Sequence, residues 1–157
     1  MAPLVVWIGS LRRGLWSLAD LVFPPGCAGC GESGAALCQA CRAGLSRVPV
    51  GLPLPELQGP ADGLDGFRAA LWFEGAAQKA LHRLKYRRDV GLAETLAALV
   101  CECLGPLTPE LYGALVVPVP LSLERMGARG YNQAALLARG LAERWGLRYA
   151  PQALTRT

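Results

Sequence analysis

The stretch ALVVPVPLSLERMGARGYNQAALLAR, residues 114–139, decides the fold. Its first part, residues 115–117, is an apolar run with two β-branched valines, which predicts a buried strand. Pro118 and Pro120 end that strand, because proline cannot donate a ladder hydrogen bond. The rest of the stretch mixes basic, small and apolar residues. The sequence therefore predicts a strand that is followed by a basic connection and then by a helix.

The connection after the strand is basic and contains glycines, and we predict a loop there. It carries Arg125 and Arg129, and Gly127 and Gly130 are its predicted joints. Asn132 is a good N-cap for a helix over residues 133–145, because its side chain can accept an early backbone N–H. Open α/β sheets place anionic ligands at such a junction between strand and helix. The alternative is a plain connection whose arginines are solvated.

The bulk composition predicts a folded chain without a membrane span. The chain has 157 residues, a formal net charge of +4 and 52% hydrophobic residues. This composition supports a packed core and excludes an extensively disordered protein. The mild positive charge permits a polyanionic partner without requiring one. The apolar run at residues 4–8 is too short to cross a bilayer, so we predict a cytoplasmic protein with no membrane insertion.

Four of the six cysteines form two C-x2-C pairs that are seven residues apart: Cys27, Cys30, Cys38 and Cys41. Because cytoplasmic thiols stay reduced, two pairs this close favour a Zn²⁺ site over disulfides. No open coordination position or general base accompanies them, so the predicted role is structural. The alternative is redox chemistry, which normally uses a single C-x2-C pair at a helix N-terminus.

The remaining elements follow from apolar periodicity. We predict a helix over residues 4–22, a strand over 67–73, helices over 75–86 and 91–104, and a strand that begins at 147. Cys101 and Cys103, in the helix over 91–104, are predicted to be small buried hydrophobes.

Domain boundaries follow from a segment rich in proline and glycine. Residues 49–66 hold four prolines and four glycines, which predicts a linker. The chain then divides into a module at 1–50, a linker at 51–66 and a domain at 67–157. The element order in the last part, β-α-α-β-α-β, predicts an α/β fold with a mostly parallel sheet.

The predicted helix over 75–86 ends in a basic cluster, HRLKYRR, at residues 82–88. Cations with Tyr86 between them are typical of a surface that holds nucleic-acid phosphates and stacks on bases. The alternative is a solvated helix end whose cations complement the helix dipole. The residues alone leave both interpretations open.

Four features together resemble the ComF family of competence-associated, phosphoribosyltransferase-like proteins. They are the two C-x2-C pairs after Phe23-Pro24-Pro25, the segment HRLKYRRD at 82–89, VPVPL at 117–121 and RMGARGYNQA at 125–134. The last feature, R-x3-R-G-aromatic-N-Q-A after P-V-P-L, is the most specific. The resemblance covers nearly the whole chain.

This resemblance implies a small N-terminal zinc ribbon followed by the front part of a type I phosphoribosyltransferase-like parallel-sheet domain. It implies that the diphosphate of 5-phosphoribosyl 1-diphosphate, with Mg²⁺ as its companion ion, is held by Arg125, Arg129, Gly130, Asn132 and Lys85. It also implies a link to DNA uptake and competence. Single-stranded DNA and the competence helicase machinery are the implied partners.

One motif of type I phosphoribosyltransferases has no counterpart in the sequence. In those enzymes two acidic residues and a Thr/Gly-rich turn wrap the ribose and its 5-phosphate. We therefore expect a C-terminally truncated family member, or the front portion of a longer protein, and we leave transferase activity unassigned. The alternative is a non-enzymatic zinc-ribbon module that binds single-stranded DNA. A third possibility is a zinc-stabilised interaction domain with neither activity.

Overall fold

The computed structural model describes residues 25–49 and 66–156. The helix predicted over 4–22 and nearly all of the predicted linker lie outside the described residues. The described elements are, in chain order, α1 (Gln39–Ala43), α2 (Gly75–Tyr86), α3 (Leu92–Leu104), a 3-10 helix (Pro109–Leu111), β1 (Leu115–Val116), α4 (Leu123–Arg129), α5 (Gln133–Trp145) and β2 (Arg148–Tyr149).

The three long helices confirm the predictions from apolar periodicity. Helices α2 and α5 have the predicted bounds, and α3 begins one residue later than predicted. The Asn132 side chain caps α5 by accepting the N–H of Ala134 at 2.9 Å. Gly146 ends that helix in the left-handed conformation, with φ of 65°. Local capping signals thus fix both ends of α5.

The described residues build one core from the cysteine module and the helices together. Leu84 of α2 and Leu92 and Leu99 of α3 are almost fully buried, and they cluster with Cys27 and Leu37. Burial of large apolar side chains is the main stabilising term in such a core. The cysteine module therefore packs against α2 and α3.

Within the described part of the chain, helices α3 and α5 share the most extensive helix–helix contact. A Cβ built on Gly140 of α5 would lie 2.8 Å from the Cβ of Ala97 on α3. Real side chains do not approach this closely, so glycine at residue 140 is what allows these two helices to cross at short range.

Strands β1 and β2 form a two-stranded parallel sheet, with Leu115 opposite Arg148 and Val116 opposite Tyr149. Helices α4 and α5 lie between them in sequence, so the unit is β-α-β, which confirms the predicted parallel pairing. The prediction that β1 is buried is wrong, because Leu115 is 46% exposed. In each strand only two residues are paired. Within the described part of the chain, no element packs over the Leu115 side chain closely enough to bury it.

The predicted strand over residues 67–73 is wrong. Residues 67–70 have no regular structure, and the one bridge in this segment joins Leu71 to Arg47 in antiparallel fashion. The N–H of Val48 donates to the Ala70 carbonyl at 3.1 Å. The segment thus pairs with the chain that follows the cysteine module and adds no strand to the parallel sheet. The strand predicted from 147 is also shorter than expected, because a turn follows at Pro151.

The predicted basic loop is instead a helix, α4. Ser122 caps it, because its Oγ accepts the N–H of Arg125 at 3.4 Å. Gly127 lies inside this helix, and Gly130 ends it with φ of 77°. Arg125 and Arg129 are therefore one helical turn apart. The Ser122 capping signal outweighs the low helix propensity of Gly127.

Cys101 and Cys103 are partly buried on α3, so the prediction of small buried hydrophobes is only partly confirmed. Burial raises the pKa of Cys101. Neither cysteine belongs to the four-cysteine cluster.

No helix within residues 25–49 and 66–156 combines the length and the apolarity that a bilayer crossing requires. The cytoplasmic location stays a prediction.

Candidate metal centre and basic segment

The sulfur atoms of Cys27, Cys30, Cys38 and Cys41 all lie within 4.8 Å of one another. The Sγ atoms of Cys30 and Cys38 are 3.7 Å apart. A tetrahedral zinc ion with Zn–S bonds of about 2.3 Å requires sulfurs about 3.8 Å apart. All six cysteines of the chain are free thiols. The cluster therefore has the donor set and the spacing of a Cys₄ zinc site.

The first knuckle, Cys27 to Cys30, is a tight reversal of the backbone. Gly31 follows it with φ of 86°, a conformation that favours glycine, and its N–H donates to the Cys27 carbonyl at 2.9 Å. A Cβ on Gly29 would lie 2.5 Å from the Sγ of Cys41. Glycine at residue 29 thus lets the first knuckle come close to the second, which runs from Cys38 to Cys41.

Backbone N–H groups point at the sulfurs of both knuckles. The Sγ of Cys27 accepts the N–H of Gly29 at 3.4 Å and that of Cys38 at 3.3 Å. Cys38 is the N-cap of α1, and its Sγ accepts the N–H of Cys41 at 3.5 Å. Such donors stabilise thiolate sulfur, which is the form that binds metal.

The thiols of Cys27 and Cys41 have pKa values that are shifted in opposite directions. Burial raises the pKa of Cys27, but the N–H groups of Cys38, Cys30 and Gly29 lower it by more, and its pKa falls to about 5. Hydrogen bonds with the Cys27 and Cys38 sulfurs raise the pKa of Cys41 to about 12. Sulfurs this close cannot all carry negative charge unless a cation lies among them. Binding of a divalent metal would therefore release protons from this cluster.

Residues 18–53 match the family model of the double zinc ribbon domain. The match includes both knuckles and all four cysteines of the cluster. No curated protein and no solved structure matches the chain significantly. Donor set, spacing and family model agree, so the four cysteines are positioned to bind a zinc ion in a zinc ribbon. This supports the predicted zinc cofactor.

The zinc ribbon is held against α2 by cations that donate to its carbonyl groups. Lys79 Nζ donates to the Gly29 carbonyl at 3.1 Å, and Arg83 Nη1 donates to the Gly26 carbonyl at 2.8 Å. The other Arg83 Nη pairs with the Asp89 carboxylate. Both carbonyls lie within two residues of Cys27. Helix α2 is therefore anchored on the first knuckle.

We use the name basic segment for residues 122–132, which contain α4 and the turn that precedes α5. Arg125 is exposed, and Arg129 Nη1 donates to Gln133 Oε1 at 2.9 Å. The guanidinium carbon of Arg129 lies 5.0 Å from the centre of the Tyr86 ring on α2. Within the described residues, neither arginine pairs with a carboxylate.

The other predicted diphosphate residues are arranged differently. Both ends of the Asn132 amide are used, because Oδ1 caps α5 and Nδ2 donates to the Val119 carbonyl at 2.9 Å. Asn132 thus fixes the basic segment between β1 and α5, and Gly130 provides the turn. Lys85 Nζ lies 5.9 Å from the centre of the Phe73 ring. A role of these residues in diphosphate binding stays a prediction.

Sequence reasoning missed the contact between α2 and the basic segment. The Tyr131 hydroxyl donates to the Leu84 carbonyl of α2, and Arg129 lies over Tyr86. The partners are more than forty residues apart in the sequence, so no local pattern indicates the contact. Its sequence signal is weak: two tyrosines, Tyr86 and Tyr131, each lie within two residues of an arginine.

Proposed function

We propose that this chain is a ComF-type, phosphoribosyltransferase-like protein that binds 5-phosphoribosyl 1-diphosphate on its basic segment, and that acts in DNA uptake. The observation that carries the proposal is the pair Arg125 and Arg129, placed between β1 and α5 without a carboxylate partner among the described residues. In this proposal the zinc ribbon has a structural role, because it anchors helix α2, whose Tyr86 ring Arg129 of α4 contacts.

The chemistry of this arrangement suits a diphosphate. Side chains four residues apart on a helix are neighbours, so Arg125 and Arg129 can approach the same ligand. Each guanidinium is planar and can donate two parallel hydrogen bonds to phosphate oxygens. Helix α5 begins at Gln133, and its first-turn N–H groups add positive potential close to the segment.

The proposal covers binding and not transfer. The sequence contains no acidic pair with a Thr/Gly-rich turn to hold the ribose 5-phosphate. Transfer enzymes of this type position the substrates and stabilise the leaving diphosphate, usually together with Mg²⁺. Arg125 and Arg129 would supply part of that charge, and Mg²⁺ would accompany the ligand.

Calorimetry with 5-phosphoribosyl 1-diphosphate and Mg²⁺ tests the proposal on the full chain. We expect binding by the wild type and a loss of about tenfold or more for Arg129→Ala, because a charged hydrogen-bond pair contributes about 1.5–3 kcal/mol. Arg129→Lys should also bind weakly, since lysine lacks the planar fork.

The matched control is Arg139→Ala. This arginine is exposed on α5 and its Nε lies 3.9 Å from the carboxylate of Glu143, so its removal changes the net charge equally without touching the basic segment. Binding that is absent in the wild type, or unchanged in both Arg125→Ala and Arg129→Ala, would overturn the proposal.

A second candidate function, binding of single-stranded DNA, is favoured by a row of exposed rings on one side of α2. The ring centres of Phe73 and His82 are 5.9 Å apart, and those of His82 and Tyr86 are 5.6 Å apart. Lys85 lies beside the Phe73 ring and Arg129 over the Tyr86 ring. Exposed aromatic faces among cations are what sequence-independent strand binding uses.

Salt dependence separates the two candidates. Strand binding releases counterions, so its affinity should fall steeply with salt, by a logarithmic slope of about 0.7 for each phosphate that is neutralised. Replacement of Phe73 by alanine should weaken strand binding and leave sugar-diphosphate binding unchanged. A weak salt dependence, or equal strand binding by Phe73→Ala and wild type, would contradict this second candidate.

A further inference from the structure

A groove with a volume of about 350 Å³ lies where helix α2 meets the first knuckle of the zinc ribbon. Ala28 of the ribbon forms one wall. The other wall consists of α2 side chains and its C-cap residue at three- to four-residue steps: Gln78, Lys79, His82, Arg83, Tyr86 and Arg87. This spacing places them along one face of the helix. The groove is distinct from the basic segment, although Tyr86 borders both.

The groove is strongly positive. Lys79, Arg83 and Arg87 are spaced four residues apart, and no carboxylate lines the groove. Like charges at this spacing repel one another, which destabilises a helix by about 0.2–0.5 kcal/mol for each pair. Asp89 offsets the charge of Arg83, and Lys79 donates to a carbonyl only. Arg87 has no carboxylate partner within the described residues. The groove thus keeps two uncompensated cations.

An aromatic surface lies between these cations. Tyr86 is 66% exposed, and its ring meets His82 edge-on at 5.6 Å between centres. The guanidinium carbon of Arg129, in the basic segment, lies 5.0 Å from the centre of the Tyr86 ring and helps to fix its position. A flat ring beside two cations can stack on a nucleobase while the cations bind its phosphate.

The backbone around the groove holds an unusual conformation. Arg88, directly after Arg87, has φ of 55°, which a non-glycine residue adopts only at an energetic cost. This turn returns the chain to α2, so that Asp89 reaches Arg83. Arg87 lies at the end of the helix just before this turn, where its backbone N–H donates to the Arg83 carbonyl.

We infer that this groove is a second binding site, for a nucleoside 5′-phosphate, with the phosphate on Lys79 and Arg87 and the base on Tyr86. The groove volume lies at the lower end of the range of about 300–1,000 Å³ for small-ligand sites, which suits a mononucleotide. The same chemistry exists in a free nucleotide and at the 5′ end of a strand. The inference does not rest on the proposed sugar-diphosphate site.

Calorimetry on the full, zinc-loaded chain tests the inference with adenosine 5′-monophosphate, adenosine and inorganic phosphate. We expect the monophosphate to bind about tenfold or more tightly than adenosine, because two cations contact the phosphate. Arg87→Ala should lose this preference, and Lys79→Met should reduce it. Tyr86→Ala should weaken the binding of both the monophosphate and adenosine. Tyr86→Phe should bind both as the wild type does, since phenylalanine keeps the ring.

Arg148→Ala is the matched control, because Arg148 is an exposed arginine on β2 that lines no part of the groove. Zinc content and thermal unfolding of each variant report whether it is folded. Equal affinities for monophosphate and adenosine, or wild-type binding by both Arg87→Ala and Lys79→Met, would overturn the inference while leaving the sugar-diphosphate proposal intact.

Two oligonucleotides distinguish the sources of the ligand. A short oligothymidylate with a 5′-phosphate should compete with the monophosphate, and the same strand with a 5′-hydroxyl should compete about tenfold less well if the groove reads a terminal phosphate. Competition by both strands alike, without binding of the free monophosphate, would refute the mononucleotide site and favour strand binding along α2.

Discussion

The zinc ribbon and the basic segment reach their functional geometry in opposite ways. In the ribbon, four side chains meet within 4.8 Å, and backbone N–H groups and one glycine are arranged around them. In the basic segment, Arg125 extends into solvent while Arg129 lies on Tyr86. Metal coordination fixes the ligand atoms to within a few tenths of an ångström, whereas long arginine side chains can move to meet an anion. The ribbon should therefore tolerate substitution far less than the basic segment does.

The largest expected effect is the loss of one zinc ligand. Cys27→Ser should abolish stoichiometric zinc binding and destabilise the core that Cys27 shares with Leu84 and Leu92. Structural zinc contributes on the order of 10 kcal/mol to the folding of small zinc domains. Zinc analysis of the purified protein and thermal unfolding measure both effects. Cys103→Ser is the matched control and should retain zinc. A Cys27→Ser protein with normal zinc content would contradict the expectation that the ribbon is the less tolerant of the two regions.

Two glycine-to-alanine changes test the contrast directly. At Gly29 the new Cβ would lie 2.5 Å from the Cys41 Sγ, whereas at Gly127 it meets nothing within 4 Å. We expect Gly29→Ala to destabilise the protein by about 1–3 kcal/mol and to weaken zinc binding. Gly127→Ala should stabilise it by about 0.5–1 kcal/mol, because alanine is the better helix former inside α4. Chemical unfolding gives the change in free energy of unfolding for both variants. The contrast between the two regions is contradicted if both variants are stabilised or both are destabilised.

A smaller effect is expected where the basic segment does require a particular side chain. Asn132 caps α5 and also holds the Val119 carbonyl, while Ser122 only caps α4. Asn132→Ala should lower the free energy of unfolding by about 1–2 kcal/mol. Ser122→Ala should lower it by about 0.5–1 kcal/mol, since α4 is short and exposed. Urea unfolding measures both, and a larger loss for Ser122→Ala would show that α4 controls the segment.

The smallest effect belongs to an ion pair outside both regions. Arg144 Nη2 lies 2.5 Å from the Glu94 carboxylate, whose side chain is 66% exposed. Water screens such a pair, so Glu94→Gln should change stability by a few tenths of a kcal/mol, about 0.5 at most. The difference should vanish in 1 M salt, where the screening length is about 3 Å. A loss as large as that of Asn132→Ala would mean that α3 and α5 depend on this pair.

The sequence predicted the features that depend on local spacing. The metal ligands follow from the two C-x2-C pairs, and the bounds of α2 and α5 follow from apolar periodicity and the Asn132 cap. These signals need only a few neighbouring residues. Each was predictable because its physical cause lies within one or two turns of the chain.

The features that the sequence misplaced depend on distant partners or on competing signals. Residues 67–73 look like a strand, but their bridge partner is Arg47 in the segment after the ribbon, and no periodicity indicates that pairing. Gly127 suggested a loop joint, yet Ser122 and Gly130 enclose a complete short helix. The contact between Arg129 and Tyr86 joins residues more than forty positions apart, so only the folded chain brings them together.

The shared core has a practical consequence for dissecting this protein. Cys27 and Leu37 of the ribbon cover Leu84 and Leu92 of the helices. If the chain were divided within residues 51–65, both fragments would therefore expose apolar side chains. Each fragment would then tend to aggregate during expression. Functions of the two halves are therefore better separated by single substitutions in the intact polypeptide than by cloning each half alone.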